Sequence, residues 1–241
     1  MSTFVLVHGA MHGGWCWRDV RRLLEGDGHL VHTPTLTGQG ERRHQLTPEV
    51  GVATHVDDLA ELLWFEDLHD VHLVLHSYAG ILAGPVADAA HDRIGRITYV
   101  GAFLTRSGEC LLDVEPPETA ARYRALVAED GDGWRVPASD AFLTQWGVTD
   151  PELQRWVGPR LTDFPFRAQT EPTVFDEATL AAIPQTYVRH TDPPLPSLEG
   201  AFARTVAAGW PTHDIATGHD LMVAAPAATA ALLLAIGAGL T

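Results

Sequence analysis

Phe4 to Val7 is a short, unbroken apolar run, the pattern of a strand buried on both faces. Leu30 to Pro34, Val71 to Leu75 and Ile94 to Val100 read as further short strands. Longer stretches with helical spacing separate them: Trp15 to Glu25, Val52 to Phe65 and Ala79 to Ala90. Leu59, Leu62, Leu63 and Phe65 form the apolar side of the second, and Gly26 and Gly28 stop the first. This alternation predicts right-handed βαβ units and a mainly parallel sheet covered by helices.

Near Thr105 the rhythm breaks. Residues 106 to about 180 carry several prolines and many aromatics, including Trp134, Trp146, Trp156, Phe142 and Phe164. They are expected to form a helical cap inserted over the sheet. The alternation then returns with a strand at Thr186 to Arg189, a helix at Leu198 to Ala208, a strand at Pro211 to Ala216 and a helix at Pro226 to Gly237. Both flanks are needed to complete one sheet, so residues 1–241 are expected to form one α/β domain with the cap as an insertion.

Composition narrows the function. Acidic residues outnumber basic ones 31 to 16, a formal charge of −15, which argues against nucleic acid or an anionic membrane as partner. Cys16 and Cys110 cannot frame a disulfide-based fold, and no basic leader precedes Phe4, so a cytoplasmic protein with reduced thiols is expected. Leu221 to Leu240 is uncharged. A helix opened by Pro226 would be only about 18 Å long against hydrocarbon about 30 Å thick, so it is expected to pack rather than span.

In open parallel sheets ligands sit beyond the carboxyl ends of the strands, and three loops there carry the chemistry. Leu75-His76-Ser77-Tyr78-Ala79-Gly80 lies between a strand and a helix, where a sharp turn would lift the Ser77 hydroxyl above the sheet as a nucleophile. Leu75 stands where such an elbow usually needs a small residue, and a turn or capping serine is the plain alternative. His8 to Trp15 follows the first strand and is rich in glycine. A loop there supplies one oxyanion amide, the other coming from the residue after the nucleophile, Tyr78. It lacks the spacing of a phosphate loop, and His8 and His12 lack an evident third metal ligand. No cofactor or metal is expected. His219, in Gly218-His219-Asp220 between the last strand and last helix, is placed to act as general base. Asp192 is the only carboxylate between Ala178 and Ser197 and is the expected third member of a triad, with Glu109 and Asp113 as fallbacks. A turn-capping role is the alternative for Asp192. With an ordinary imidazole at His219, activity would fall near pH 6–7.

The His8 to Trp17 segment, Thr35-Leu36-Thr37-Gly38-Gln39-Gly40-Glu41-Arg42, His76-Ser77-Tyr78 and Gly218-His219-Asp220-Leu221-Met222 together resemble bacterial carboxylesterases of the α/β-hydrolase superfamily. These are similar to plant methylesterases and hydroxynitrile lyases. The resemblance covers nearly the whole chain and is weakest in the cap. It implies an α/β-hydrolase fold, a Ser77 nucleophile, a His219 base and oxyanion amides at Ala10 and Tyr78. The family usually shows glycine where Leu75 stands, and often a longer acid loop than Thr191-Asp192-Pro193. The related lyases carry threonine at the place of Gly9 and lysine after the catalytic histidine, where this chain has Gly9 and Asp220. An aspartate there would repel cyanide, so hydrolysis of a small, largely apolar or aromatic ester is the leading expectation. A lyase, cyclase or cofactor-free oxygenase, or a ligand-binding protein with a vestigial triad, are the competing readings. The partner is a small molecule, and a homodimer is left open.

Overall fold

The computed structural model describes residues 1–239. Strands β1 (Thr3–Val7), β2 (Leu30–His32), β3 (Val71–His76), β4 (Ile94–Val100), β7 (Gln185–His190) and β8 (Thr212–Ile215) form one sheet in the order β2-β1-β3-β4-β7-β8. Every pairing in it is parallel. The remaining strands, β5 (Arg135–Val136) and β6 (Phe164–Pro165), make a small antiparallel pair within the cap.

Period-two alternation explains how the sheet becomes the middle layer of three. Phe4 and Leu6 point to one face, where they pack with Leu24 of the helix Arg18–Gly26 and with Leu233 and Ile236 of the helix Pro226–Gly237. Val5 and Val7 point to the other, against Leu59 and Leu63 of the helix Val52–Phe65 and Val86 of the helix Ala83–Ala90. β3 is buried along its whole length because both faces are covered. The expected bounds of the strand at 94–100 and of the helices at 52–65 and 226–237 match the structure residue for residue. The last of these helices packs, as expected, and no helix among the described residues is long and apolar enough to cross a membrane. Leu240, the end of the uncharged run, lies outside the described residues.

Residues 106–180 rise from the carboxyl end of β4 and return at β7, so they cover the end of the sheet where the three chemical loops emerge. The cap consists of short helices, among them Pro117–Asp130, Ala141–Gln145 and Pro151–Val157. The last is started locally: Asp150 accepts the Glu152 and Leu153 N–H groups at 2.7 and 3.1 Å, and Pro151 occupies the first turn, where no N–H is needed. Backbone bonds tie the cap down on both sides. Thr162 N–H donates to the Met11 carbonyl at 3.0 Å and His219 N–H to the Trp146 carbonyl at 2.8 Å.

Candidate active site

Ser77 follows the last residue of β3 and has φ of +54°, in the left-handed region that a residue with a side chain rarely occupies. The chain then enters a 3₁₀ turn, Ser77–Leu82, before the helix at Ala83. Two close approaches hold this elbow. A Cβ on Gly80 would lie 2.3 Å from the Phe103 carbonyl oxygen, and one on Gly9 would lie 2.7 Å from the Ser77 Cβ. The small residues the turn needs are therefore Gly80 and, from the facing loop, Gly9. Leu75 is accommodated because its side chain enters the core with Leu73 and Ala79. Burial of a leucine there stabilises the strand by about 1.5–3 kcal/mol. The elbow forms without the expected glycine.

His219 meets Ser77 at this point. Its Nε2 accepts the Ser77 Oγ–H at 2.9 Å, and both residues are buried, Ser77 at 9% exposure and His219 at 2%. The His219 main chain is fixed from both sides. Trp146 takes its N–H, and His76 Nε2–H donates to its carbonyl at 3.0 Å. Accepting from Ser77 at Nε2 requires the proton at Nδ1. That Nδ1 has no hydrogen-bond partner among the described residues. Burial, with further contributions from His76, His190 and His12, holds His219 well below the ordinary imidazole range. The fall in activity near pH 6–7 expected for an ordinary imidazole is therefore not expected from His219.

The carboxylates expected beside His219 are placed elsewhere. Asp192 is exposed, and its backbone N–H donates to the Thr217 carbonyl at 3.0 Å. It makes no hydrogen bond to His219. The reason lies two residues upstream: β7 runs on through His190, which brings the His190 ring, not a carboxylate, against His219 at 4.9 Å between centroids. A Cβ on Gly101 would meet the Nδ1 atoms of both rings, at 2.8 and 3.3 Å. Neither nitrogen of His190 has a partner among the described residues, and burial lowers it to about 4. Of the fallbacks, Glu109 is bound to Arg204, whose Nη2 lies 2.9 Å away, and Asp113 accepts the Cys110 N–H in a helix-capping box.

The two segments expected to supply oxyanion amides are side by side with Ser77. Tyr78 is the second residue of the 3₁₀ turn, where N–H groups have no partner within the helix. Its ring is fixed by an O–H donation to His55 Nδ1 at 2.8 Å, and His55 Nε2 donates to the Thr37 carbonyl at 3.0 Å. Ala10 lies next to Gly9, which abuts Ser77. The Met11 N–H beyond it is taken by Gln39 Oε1 at 2.9 Å.

Sequence reasoning missed the histidine surroundings. His12 Nε2 lies 3.2 Å from Asp220 Oδ2, a pair 208 positions apart and buried. Asp220 is therefore turned to His12, so the repulsion expected from an open carboxylate beside the substrate is not present in that form. An aspartate adjoining the base in an otherwise uncharged run was the only signal. Around His219 the cap contributes an aromatic file: Trp146 at 6.5 Å between centroids, Phe142 stacked on Trp146 at 5.3 Å, and Tyr123 on Phe142 at 6.4 Å. Among the described residues no cluster of three or more His, Cys, Asp or Glu side chains could hold a metal ion.

The chain is similar to known proteins both in sequence and in three dimensions. A carbendazim hydrolyzing esterase from Nocardioides sp. (strain SG-4G) is 33% identical over 250 residues, covering 98% of this chain and all of that protein. Methylesterase 7 of Arabidopsis thaliana is 37% identical over 105 residues, 43% of this chain and 40% of its own length. In three dimensions, an extracellular alpha/beta-hydrolase from a Paenibacillus species superposes with a TM-score of 0.84 at 20% identity, covering 98% of both chains. Tomato methylketone synthase I does so with a TM-score of 0.84 at 18% identity, covering 99% of this chain and 98% of its own. The model of the alpha/beta hydrolase family matches residues 4–232. With that match and an esterase similar along its entire length, this chain belongs to the alpha/beta hydrolase family and is a hydrolase of the esterase type.

Proposed function

We propose that this protein hydrolyses small, largely apolar or aromatic carboxylic esters through an acyl-enzyme on Ser77, with His219 as general base. The observation that carries the reading is the 2.9 Å Ser77 Oγ–His219 Nε2 contact at a left-handed elbow. Ser77 Oγ attacks the ester carbonyl while its proton passes to His219 Nε2. The tetrahedral oxyanion accepts the N–H groups of Ala10 and Tyr78, each worth about 3–4 kcal/mol of barrier in well-studied cases. Collapse expels the alkoxide, which takes the proton from His219 Nε2. A water then repeats the sequence on the acyl-enzyme, and Ser77 is released with the acid. The Trp146, Phe142 and Tyr123 file beside His219 supports an apolar or aromatic substrate.

A fluorophosphonate probe tests the reading. The expected result is one label per chain, mapped to the Ser77 peptide and slowed while an excess of a short aryl ester that the protein turns over is present. Absence of both labelling and turnover across a panel of short esters and lactones would sink it.

Asp192 stands outside this reading, since it is exposed and makes no bond to His219. Asp192→Asn is expected to keep kcat within about threefold of the parent. Neutralising a working triad acid costs about 10⁴-fold, so a loss of that order would restore Asp192 as the acid.

A non-hydrolytic reaction on the same scaffold is the second reading, favoured by the unpartnered Nδ1 of His219. It is marked by activity on a non-ester substrate that survives Ser77→Ala.

A further inference from the structure

His12 sits in the loop expected to carry the first oxyanion amide, and both of its ring nitrogens face acceptors. Nδ1 lies 2.8 Å from the Ala10 carbonyl oxygen, and Nε2 lies 3.2 Å from Asp220 Oδ2. A carbonyl and an ionised carboxylate can only accept, so satisfying both takes a proton on each nitrogen. His8, four residues earlier, is the reverse case. Its Nδ1 donates to the Gly9 carbonyl at 2.8 Å, while its Nε2 accepts the Leu36 N–H at 3.0 Å, which fixes a neutral ring.

The two histidines bracket one residue. His8 holds the carbonyl of the Gly9–Ala10 peptide, whose N–H is that of Ala10. In a planar trans peptide the N–H points opposite the C=O, so the bond to His8 aims the Ala10 N–H. His12 holds the carbonyl of the next peptide, and Gln39 takes the N–H of the same unit at Met11. Both peptides flanking Ala10 are thus fixed by side chains.

We propose that His12 is an imidazolium whose pairing with Asp220 makes it a positioning residue for the Ala10 oxyanion amide, tying that amide to the segment that carries the base. This rests on the acyl-enzyme reading above. Burial pulls the His12 pKa down, but Asp220 and the Ala10 carbonyl outweigh it and leave it raised. The other titratable groups near the pair are uncharged at neutral pH. Burial lowers His8 to about 3 and His76 and His190 to about 4, lowers His219 and raises the Cys16 thiol. His12 is the cation that meets the Asp220 carboxylate, whose side chain has no exposure. Removing His12 alone would strand a buried charge, so the informative variant removes both.

In the His12→Ala/Asp220→Ala double variant, affinity for an aryl trifluoromethyl ketone, whose adduct places an oxyanion on these amides, is expected to fall roughly 10- to 100-fold. kcat should fall by a like factor, with KM within about threefold. A purely structural role would not move ketone affinity and kcat together. Unchanged ketone affinity and kcat, or a rise in KM alone, overturns the proposal. Nitrogen-15 NMR of the histidine-labelled parent at pH 8 supplies a second measurement that needs no variant. The His12 ring is expected to carry a proton on both nitrogens, and a His12 ring with one proton overturns the proposal. A parent that neither binds the ketone nor labels with fluorophosphonate removes the acyl-enzyme reading and this one with it. A parent that does both, beside a double variant that binds the ketone equally well, removes this one alone.

Discussion

Ser77→Ala is expected to lower kcat/KM for a short aryl ester by about 10²-fold or more, and His219→Ala by a similar factor. The double variant should be no slower than either single one. Nucleophile and base act as a unit, so removing one member forfeits nearly everything the other supplies. The size of the loss carries its own information. In a complete three-membered system the nucleophile is worth about 10⁶ in kcat and the acid alone about 10⁴, which leaves roughly 10² for two members unaided. His219 has no partner at Nδ1 and lies well below the ordinary imidazole range, so its imidazolium forms with little help. The drop should therefore fall short of 10⁶. A Ser77→Ala variant within tenfold of the parent would end the acyl-enzyme reading, and additive losses in the double variant would separate the two residues.

Acid should unfold this protein cooperatively near pH 5. Burial holds His8 and His72 at about 3, and His76 and His190 at about 4, and it also lowers His55 and His219. A histidine with a lowered folded pKa stabilises the fold at pH above its unfolded value, about 6.5. That contribution is lost as pH falls, because the unfolded chain takes up the proton first. At pH 5 each of the four groups with values of 3 to 4 has cost about 2 kcal/mol, and about 8 together. That matches the whole stability of an ordinary domain, about 5–15 kcal/mol. His12 works the other way, since a raised pKa contributes fully below about 6.5 and is lost as pH rises through the folded value. One such group does not offset six. Circular dichroism and ester turnover followed from pH 8 to pH 4 should fail together, with turnover flat until the fold gives way. Intact ellipticity at pH 4, or activity falling near pH 6.5 while the fold persists, would contradict this.

The sheet and its covering helices were legible because each depends on local pattern. β1, β3 and β4 are apolar runs of strand length, and Val52–Phe65 has one apolar side and a glycine before it. The start of the helix after Ser77 was not, because the 3₁₀ turn at 77–82 is set by the loop after β4, through Phe103 N–H to the Ser77 carbonyl at 3.1 Å. Ser77 and His219 could be chosen from chain order, since both follow strands at one end of the sheet. The acid could not. Its choice turned on where β7 ends, and running through His190 moves every later side chain relative to His219. Leu75 misled for a related reason: a strand residue's fate depends on which face it occupies, and this one faces the core. The His12–Asp220 pair joins distant segments, and the aspartate beside His219 shows one half of it without naming the partner.

The ties between cap and catalytic loops run through main chain at key points: Trp146 C=O to His219 N–H, and Thr162 N–H to Met11 C=O. A backbone bond asks nothing of the side chain at either position. The cap can exchange its aromatics, and with them the shape offered to a substrate, while its hold on His219 and on the loop at Met11 stays in place. On the acyl-enzyme reading, the arrangement separates what selects from what reacts, so redesign of this chain can start with Phe142 and Tyr123 and leave Ser77 and His219 alone.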